Sequence, residues 1–525
     1  MSLEVVRYGP RALLVRFGSG IDESTFWRGC ALKAALAAAR IPDLEEIVPA
    51  FTTLLLLVAA PTDPAAALAA VREQATPRVP PGSDPGSRRV DLEVSYDGPD
   101  LARVATHAGL SSAGVVACHS GAEYRVHCLG FAPGFPYLGG LDPRLRTPRL
   151  ATPRPRVAAG SVAIGGEQTG VYPVASPGGW NLIGSTDCEL FCPQASSIED
   201  TFALHPGDRV RFLRRDPGDP LPKRDSVERF LAPEALGAIP CLRILETGSG
   251  ISIQDLGRPG LRRYGVPAGG TMDPVAAGWA NRLLDNAPGL PVLELCLQGQ
   301  RLEVLESGWI SVAGSSGPTR SGSPGWSAFR VQAGEVLEFG PGRSGVWTYV
   351  AVPGGIAAPS VLGSASMHSR ARLSPLLAPG DRLGRAGASG FAPPDATAAR
   401  RVPWSGQRDW SDVPVVRVWR GPQWDAFSED QHGLFFSTLW RVSSRSDRVG
   451  YRLEGPSIHP DCGEMISEPV LAGSVQVPPD GFPVITMADG PTLGGYPKLG
   501  MTEPGDTARI AQVRPGQCLR FVAVG

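Results

Sequence analysis

Along most of this chain short apolar runs alternate with isolated Gly, Pro, Ser and Asp positions. That is the signature of strands joined by tight turns, and it predicts a mainly β protein. Residues 1–80 read differently. VVRYGPRALLVRFG predicts a strand pair, residues 24–40 an Ala-rich helix, EIVPAFTTLLLLVA a central strand and PAAALAAVREQ a second helix, together a small α+β domain. The segment at 77–89, rich in Pro, Gly and Ser, has no apolar periodicity and reads as a linker. Beyond it the pattern predicts a β barrel over 88–215, a polar linker at 216–238, a β-rich barrel domain over 239–400 and a last barrel over 401–525. In the first barrel, Asp100 is placed to cap a short helix starting at Leu101, and Gly109 to stop it.

Two kinds of repeat cross these boundaries. A turn followed by an alternating strand recurs as HPGDRVRFLR (205–214), AGEVLEFG (333–340), PGDRLGRAG (379–387) and PGQCLRFVAV (515–524), which predicts that several units are closed by one device. The run 158–184, AAGSVAIGGEQTGVYPVASPGGWNLIG, has a second version at 472–499, AGSVQVPPDGFPVITMADGPTLGGYPKL. Glycine tolerates positive φ and close backbone approach, so a duplicated glycine-rich loop on a barrel is the leading functional feature.

Composition narrows the partners. Of 525 residues, 50 are Lys or Arg and 51 Asp or Glu, a net charge of -1, and the basic residues form no stripe that could follow a nucleic-acid backbone. The longest apolar run, at 51–61, is too short to cross a bilayer, and the first residues lack a leader pattern, so the expectation is a cytoplasmic protein. Nine cysteines, sparse and odd in number, argue against a disulfide framework, and neither Cys188 with Cys192 nor His119 with His127 and Cys128 has metal-ligand spacing.

The candidate chemistry lies in loops. His119 is either a proton-transfer or anion-binding group or a helix-terminal histidine bonded to backbone. After Tyr124 comes GFAPGFPYLGG (130–140), whose Phe135 and Tyr137 suit a pocket wall. Arg144, Arg146, Arg149, Arg154 and Arg156, spaced by prolines, form either a ladder for phosphate or carboxylate or ordinary solvated charge. On the hallmark loop Gln168, Tyr172, Ser176 and Trp180 could orient a polar substrate, with the amides of Gly178 and Gly179 facing a developing oxyanion. Asp273 before Pro274 is a helix cap first and a ligand second, whereas Gln254, Asp255 and Arg258 form a polar cluster beside glycines. In the last barrel Glu464, Ser467, Glu468, Gln476, Asp489, Thr492, Tyr496 and Lys498 surround Gly494 and Gly495. Lys498 could neutralise phosphate or carboxylate, and Asp489 could bind a substrate amide or Mg²⁺. There is no Walker motif and no nucleophile elbow, so any use of ATP is by another route.

GFAPGFPYLGGLDPRL, VAAGSVAIGGEQTGVYP and SPGGWNLIG resemble the first subunit of the bacterial ATP-dependent 5-oxoprolinase, also described as allophanate-hydrolase subunit 1 or the sporulation-kinase inhibitor family. IQDLGRPGLRRYGVPAGGTMD, RVGYRLEGP and GGYPKL resemble the second subunit, the inhibitor's antagonist family, joined here in one chain. The resemblance implies cyclophilin-like barrels in both halves. It also implies hydrolysis of 5-oxoproline to glutamate using ATP with, as partner, a LamB/YcsF-like A subunit. It carries His119, Tyr124, Gln168 and Ser176 over from the first subunit, and Gln254, Asp255, Arg258, Asp489 and Lys498 from the second. It further implies two alternatives: carboxyl transfer from carboxybiotin, as in urea carboxylase, or non-enzymatic kinase regulation. This chain has no biotin-carrier MKM context. Fusion of a heteromeric pair implies a homodimer. Departures from the family pattern fall at Ser185, Ala365, Pro469, Pro491 and Leu493. The first two stand where arginine is usual, so weaker anion binding is expected.

Overall fold

The structure is a computed structural model that describes residues 3–39, 41, 43–59, 87–215, 236–319, 325–368, 370, 371, 373, 374, 376–386, 400–463 and 465–524. The expected second helix of the first domain, most of the 77–89 linker, the 216–235 part of the later linker and Glu464 lie outside them.

The N-terminal domain is a four-stranded antiparallel sheet of β1 (Glu4–Arg7), β2 (Ala12–Arg16), β3 (Leu44–Pro49) and β4 (Thr53–Val58) in the order β1-β2-β4-β3, with helix α1 (Glu23–Ala38) on one face. Asp22 caps α1 by accepting the Thr25 N–H at 2.8 Å. The expected single strand over 46–59 is a hairpin, turning at Ala50–Thr52. Its TLLLLV run is apolar throughout because both faces are buried. Leu54 and Leu56 pack under α1 with Leu13 and Val15, whereas Leu55 joins Ala12, Leu14 and Tyr8 against Leu471 and Met501 of the last barrel. The Tyr8 hydroxyl meets Ser474 Oγ at 2.6 Å, and Arg7 lies over Trp419.

The first barrel uses β5 (Arg89–Val94), β6 (Glu123–Leu129), β7 (Pro136–Gly139), β8 (Ser161–Gly165), β9 (Gln168–Val171), β10 (Asn181–Ser185) and β11 (Arg209–Arg214). Its hydrogen-bonded order is β10-β8-β9-β7-β6-β11-β5, and paired Ser95–Ser185 backbone bonds bring β5 back to β10. The last barrel is closed, from β12 (Val415–Arg420), β13 (Trp440–Val442), β14 (Gly450–Glu454), β15 (Ser474–Gln476), β16 (Val484–Thr486), β17 (Lys498–Thr502) and β18 (Cys518–Ala523), in the order β12-β17-β15-β16-β14-β13-β18. Numbered this way, each strand of the second barrel is the counterpart of the strand seven places earlier, and both barrels close through a parallel pair, β5 with β11 and β12 with β18. The AGSV repeat therefore falls on equivalent strands, β8 and β15.

All four recurring turn-and-strand phrases are strands entered through a glycine of positive φ, Gly207, Gly334, Gly380 and Gly516. In the barrels that strand supplies the parallel closure. In the unit between them it supplies antiparallel members of one of two sheets, a five-stranded and a six-stranded one, around Leu242, Ile253, Leu302, Val312 and Val350. Asp273 caps the helix Pro274–Arg282 by accepting the N–H groups of Val275 and Ala276, as expected. Asp100 makes no such cap. Its carboxylate accepts the Leu182 N–H at 2.7 Å and pairs with Arg154 at 2.7 Å.

His119 is fully buried in the first barrel, stacked on Phe212 at 4.5 Å. Thr169 Oγ1 donates to the Ala163 carbonyl, so His119 Nε2–H donates to Thr169 Oγ1 (2.9 Å) and Nδ1 accepts from the Tyr96 hydroxyl (2.8 Å). This relay fixes a neutral imidazole. Tyr124 is buried beside it, its hydroxyl donating to the His119 carbonyl at 2.8 Å. Both residues are fully buried in the barrel interior, and the side-chain bonds of His119 run to Tyr96 and Thr169.

Burial pulls the His119 pKa down to about 3 and that of His127 to about 4. Below the ordinary histidine value the unfolded chain therefore takes up protons that the native protein refuses. Stability is expected to fall as pH drops from about 6.5 towards 4, by about 1.4 kcal/mol per pH unit for each histidine. Urea unfolding midpoints of His119→Gln, measured between pH 6 and 4.5, should have a shallower acid slope than those of the unmodified protein.

Candidate functional site

The glycine-rich loops of the two barrels meet along a seam. The loop after β6, Gly130–Phe135, is held from three sides: Gly130 N donates to Phe135 O (3.1 Å), Gly134 N to Tyr264 O of the middle unit (2.8 Å), and Leu493 of the last barrel packs on Gly130. A Cβ at Gly130 would lie 2.1 Å from Leu493 Cδ1, so only glycine allows this approach. Gly130→Ala is expected to lower stability by about 1–3 kcal/mol through overpacking and to loosen the seam, seen as a drop in thermal midpoint that Leu493→Ala in the same chain partly restores.

Behind the loop Phe135, Tyr137, Tyr172 and Trp180 form a buried aromatic floor with centroids 5.1–6.0 Å apart in steeply inclined, edge-on arrangements. Gly165 has room for the Trp180 indole where a side chain would stand, and Gly178 has room for the Tyr172 hydroxyl. Burial pushes the Tyr172 hydroxyl up to about 12. Gln168 is the cross-strand partner of Gly165 and shares its face, which places it beside the indole.

Buried polar atoms with no hydrogen-bond partner among the described residues include Gln168 Oε1, Ser176 Oγ and Arg149 Nε of the first barrel and Thr492 Oγ1 of the last. Such groups are expensive to bury unpaired. The Arg149 guanidinium lies 6.0 Å from the Trp180 ring, and its Nη1 is 3.7 Å from where a Gly495 Cβ would be. Ser467 Oγ is equally near that position. Gly495 thus sits between groups of both barrels.

The other expected residues fall into place around the seam without facing it as free groups. Of the five-arginine ladder, Arg144 pairs with Asp142, Arg146 with Glu167 and Arg154 with Asp100, while Arg156 is exposed on an outer ribbon. Arg149, like Arg156, has no carboxylate partner among the described residues. Lys498 is fully buried and matched to Glu468 at 3.0 Å, with Gln423 and Arg16 also on that carboxylate. It is a charge partner, not a free phosphate ligand. Tyr496 is 42% exposed, and the Cβ position of Gly179 is not crowded.

A second polar cluster links the middle unit to the last barrel. Asp255 accepts from Ser364 Oγ, Ser366 Oγ, Gly257 N and Ala365 N at 2.6–2.7 Å, pinning the 364–366 loop. Gln254 holds the Met367 carbonyl at 3.0 Å and leaves its Oε1 unpaired. Arg258 holds the carbonyls of Val361, Ser364 and Ser366, with Nη1 unpaired. Burial lowers its pKa to about 10. Asp489 is bound bidentately by Arg448 (2.8 and 2.9 Å), which also reaches Glu294 Oε1 and the Gly270 carbonyl. Burial opposes ionisation of Asp489, but Arg448, with His368 and Arg258, outweighs it and holds the carboxyl below its ordinary value.

Every carboxylate in these clusters is already taken up by N–H and O–H donors, and among the described residues no group of three His, Cys, Asp or Glu could hold a metal ion. The residues present do not fit a protein-held Mg²⁺. All nine cysteines are free. Glu294, Arg448 and the serine pair 364/366 were not foreseen. Arg448 stood inside the quoted RVGYRLEGP, whereas Glu294 reads as one position of an ordinary strand. Of the departures, Ser185 sits at the end of β10 bonded to Asp97 and Ala365 is a buried member of the 364–366 loop, while Leu493 is the residue that meets Gly130.

Two barrels of one winding, joined loop to loop with a β-rich unit between them, define the two-part carboxyltransferase-type class. Residues 3–199 match the family model for carboxyltransferase domain, subdomain C and D, and residues 264–523 that for subdomain A and B. The chain is 35% identical to the C subunit of the 5-oxoprolinase of Haemophilus influenzae, over 54% of this chain and 90% of that protein. It is 46% identical to the B subunit of the 5-oxoprolinase of Escherichia coli O157:H7, over 34% of this chain and 81% of that one. The crystal structure of TTHA0988 in space group P212121 is similar over 98% of this chain and 99% of its own, at 36% identity and a TM-score of 0.84. The chain belongs to the family of 5-oxoprolinase B and C subunits, with the two fused. No helix among the described residues is long and apolar enough to cross a membrane.

Proposed function

We propose that this chain is the joined B and C component of a 5-oxoprolinase, acting on 5-oxoproline with ATP as co-substrate and with a LamB/YcsF-like A subunit to yield L-glutamate. The observation that supports the reading is the meeting of the two barrels at Gly495, where Arg149 Nη1 of the first and Ser467 Oγ of the last each lie 3.7 Å from its Cβ position. A five-membered lactam acid presents a ring N–H, a carbonyl and a carboxylate. Gln168 Oε1 is an acceptor for the N–H, the Ser176 and Thr492 hydroxyls are donors for the carbonyl, and Arg149 is the cation for the carboxylate. Phosphoryl transfer to the lactam oxygen is assigned to this chain and ring opening by water to the partner. ATP supplies the activating phosphoryl group.

The test is turnover by the purified chain with ATP, 5-oxoproline and the LamB/YcsF-like partner, run beside urea and carboxybiotin controls. ADP and glutamate appearing together, only when 5-oxoproline and the partner are both present, support the reading. Carboxyl transfer from carboxybiotin is the second reading, favoured by the description of both matching family models, and product in the urea arm alone would select it. A homodimer is the expected assembly, and a one-chain mass by light scattering contradicts it.

A further inference from the structure

A cavity of about 320 Å³ lies between α1, the hairpin at 44–58 and the first barrel. Its volume is at the lower end of pockets that accept small molecules, about 300–1,000 Å³. Phe26, Phe51 and Leu54 supply apolar wall, and three polar side chains, Cys30, Lys33 and His127, line it with them. His127 is 6% exposed and its Nδ1 has no hydrogen-bond partner. The Nε2 edge of the imidazole is pressed on Gly139, where a Cβ would lie 2.3 Å away, and Phe26 and Phe51 flank the ring at 5.3 and 5.1 Å. The ring is therefore fixed in place with one nitrogen unused.

Lys33 is the second unused group. It is half-buried on α1, and no carboxylate is paired with it among the described residues. Burial pulls its ammonium below the ordinary value, and the nearby Arg263 adds to the effect. A cation kept in an apolar setting beside another cation is stabilised by any anion that joins it. Neither group takes part in the seam, and the helix that bears Lys33 is not among the elements that build it.

We propose that this cavity is a binding site for a small monocarboxylate with an apolar body, such as an aryl- or branched-alkyl-acetate, its carboxylate held by Lys33 and its body against Phe26, Phe51 and Leu54. One carboxylate pairs the unmatched ammonium, and the three apolar side chains select a hydrocarbon body over a second charge.

The test uses the full chain and phenylacetate as probe, with phenylacetamide as the neutral isostere, in isothermal titration and in N-ethylmaleimide labelling of Cys30 read by mass spectrometry. The exposed Cys462 is the internal control. Phenylacetate is expected to bind saturably, at least tenfold more tightly than phenylacetamide, and to slow labelling of Cys30 but not of Cys462. Lys33→Met and Lys33→Gln should each weaken phenylacetate tenfold or more and leave phenylacetamide unchanged. No saturable binding up to about 10 mM, binding without protection of Cys30, or binding indifferent to both Lys33 variants overturns the proposal.

Discussion

Arg448→Met is expected to cost about 3–5 kcal/mol of stability, a large part of the margin by which a folded protein is stable. Among the described residues Arg448 is the cation that bridges Asp489 of the last barrel and Glu294 of the middle unit, and both carboxylates are buried, at 7% and 1% exposure. Glu294 also accepts the Met272 N–H (2.8 Å) and the Tyr349 hydroxyl (2.9 Å), whose oxygen in turn accepts the Asp273 N–H (2.7 Å). Removing the guanidinium strands two negative charges in a region that water does not reach. The remedy follows from the same physics: Glu294→Gln with Asp489→Asn, added to Arg448→Met, removes the charges and should recover part of the loss. Thermal unfolding midpoints of the single and triple variants check this, and equal midpoints for the two would contradict it.

Arg149→Ala should do the reverse, leaving stability near that of the unmodified protein while 5-oxoproline-dependent ADP release collapses. Arg149 makes no hydrogen bond through its buried Nε and has no carboxylate to strand, so its loss costs the fold little. A charge-assisted bond to a substrate carboxylate is worth about 1.5–3 kcal/mol, a fall of roughly tenfold to more than a hundredfold in kcat/KM. Arg149→Lys should recover only part of it, because an ammonium cannot bind a carboxylate in a fork. Unchanged kinetics in Arg149→Ala would remove this residue from the site.

Much of the architecture was legible in the residues because it rests on local chemistry. Glycine turns preceding alternating strands marked the closing strands, and the AGSV repeat marked equivalent strands of two barrels. The hairpin at 44–58 was read as one strand because a strand buried on both faces loses its alternation, and the turn at Ala50–Thr52 carries no glycine. The site was legible in part. Gln168, Ser176 and Thr492, read from the glycine-rich loops, each keep a buried oxygen without a hydrogen-bond partner. His119 leaves two readings open in the sequence because sequence cannot tell a proton-transfer histidine from one threaded between Tyr96 and Thr169. The arginine ladder dissolved into separate pairs because Asp142, Glu167 and Asp100 are brought to it by folding. The Arg448–Glu294 contact joins residues far apart in the chain, and nothing local announces it.

The central claim is that the two halves of the chain build one site. A double-mutant cycle on kcat/KM for 5-oxoproline tests it most directly, with Arg149→Ala from the first barrel and Thr492→Val from the last, each measured alone and together in the presence of the LamB/YcsF-like partner. Groups that hold one substrate are expected to couple by about 0.5–3 kcal/mol, so that the double variant loses less than the product of the two single losses. Strictly additive losses, or a Thr492→Val variant with full activity, would contradict a shared site and return the two barrels to separate roles.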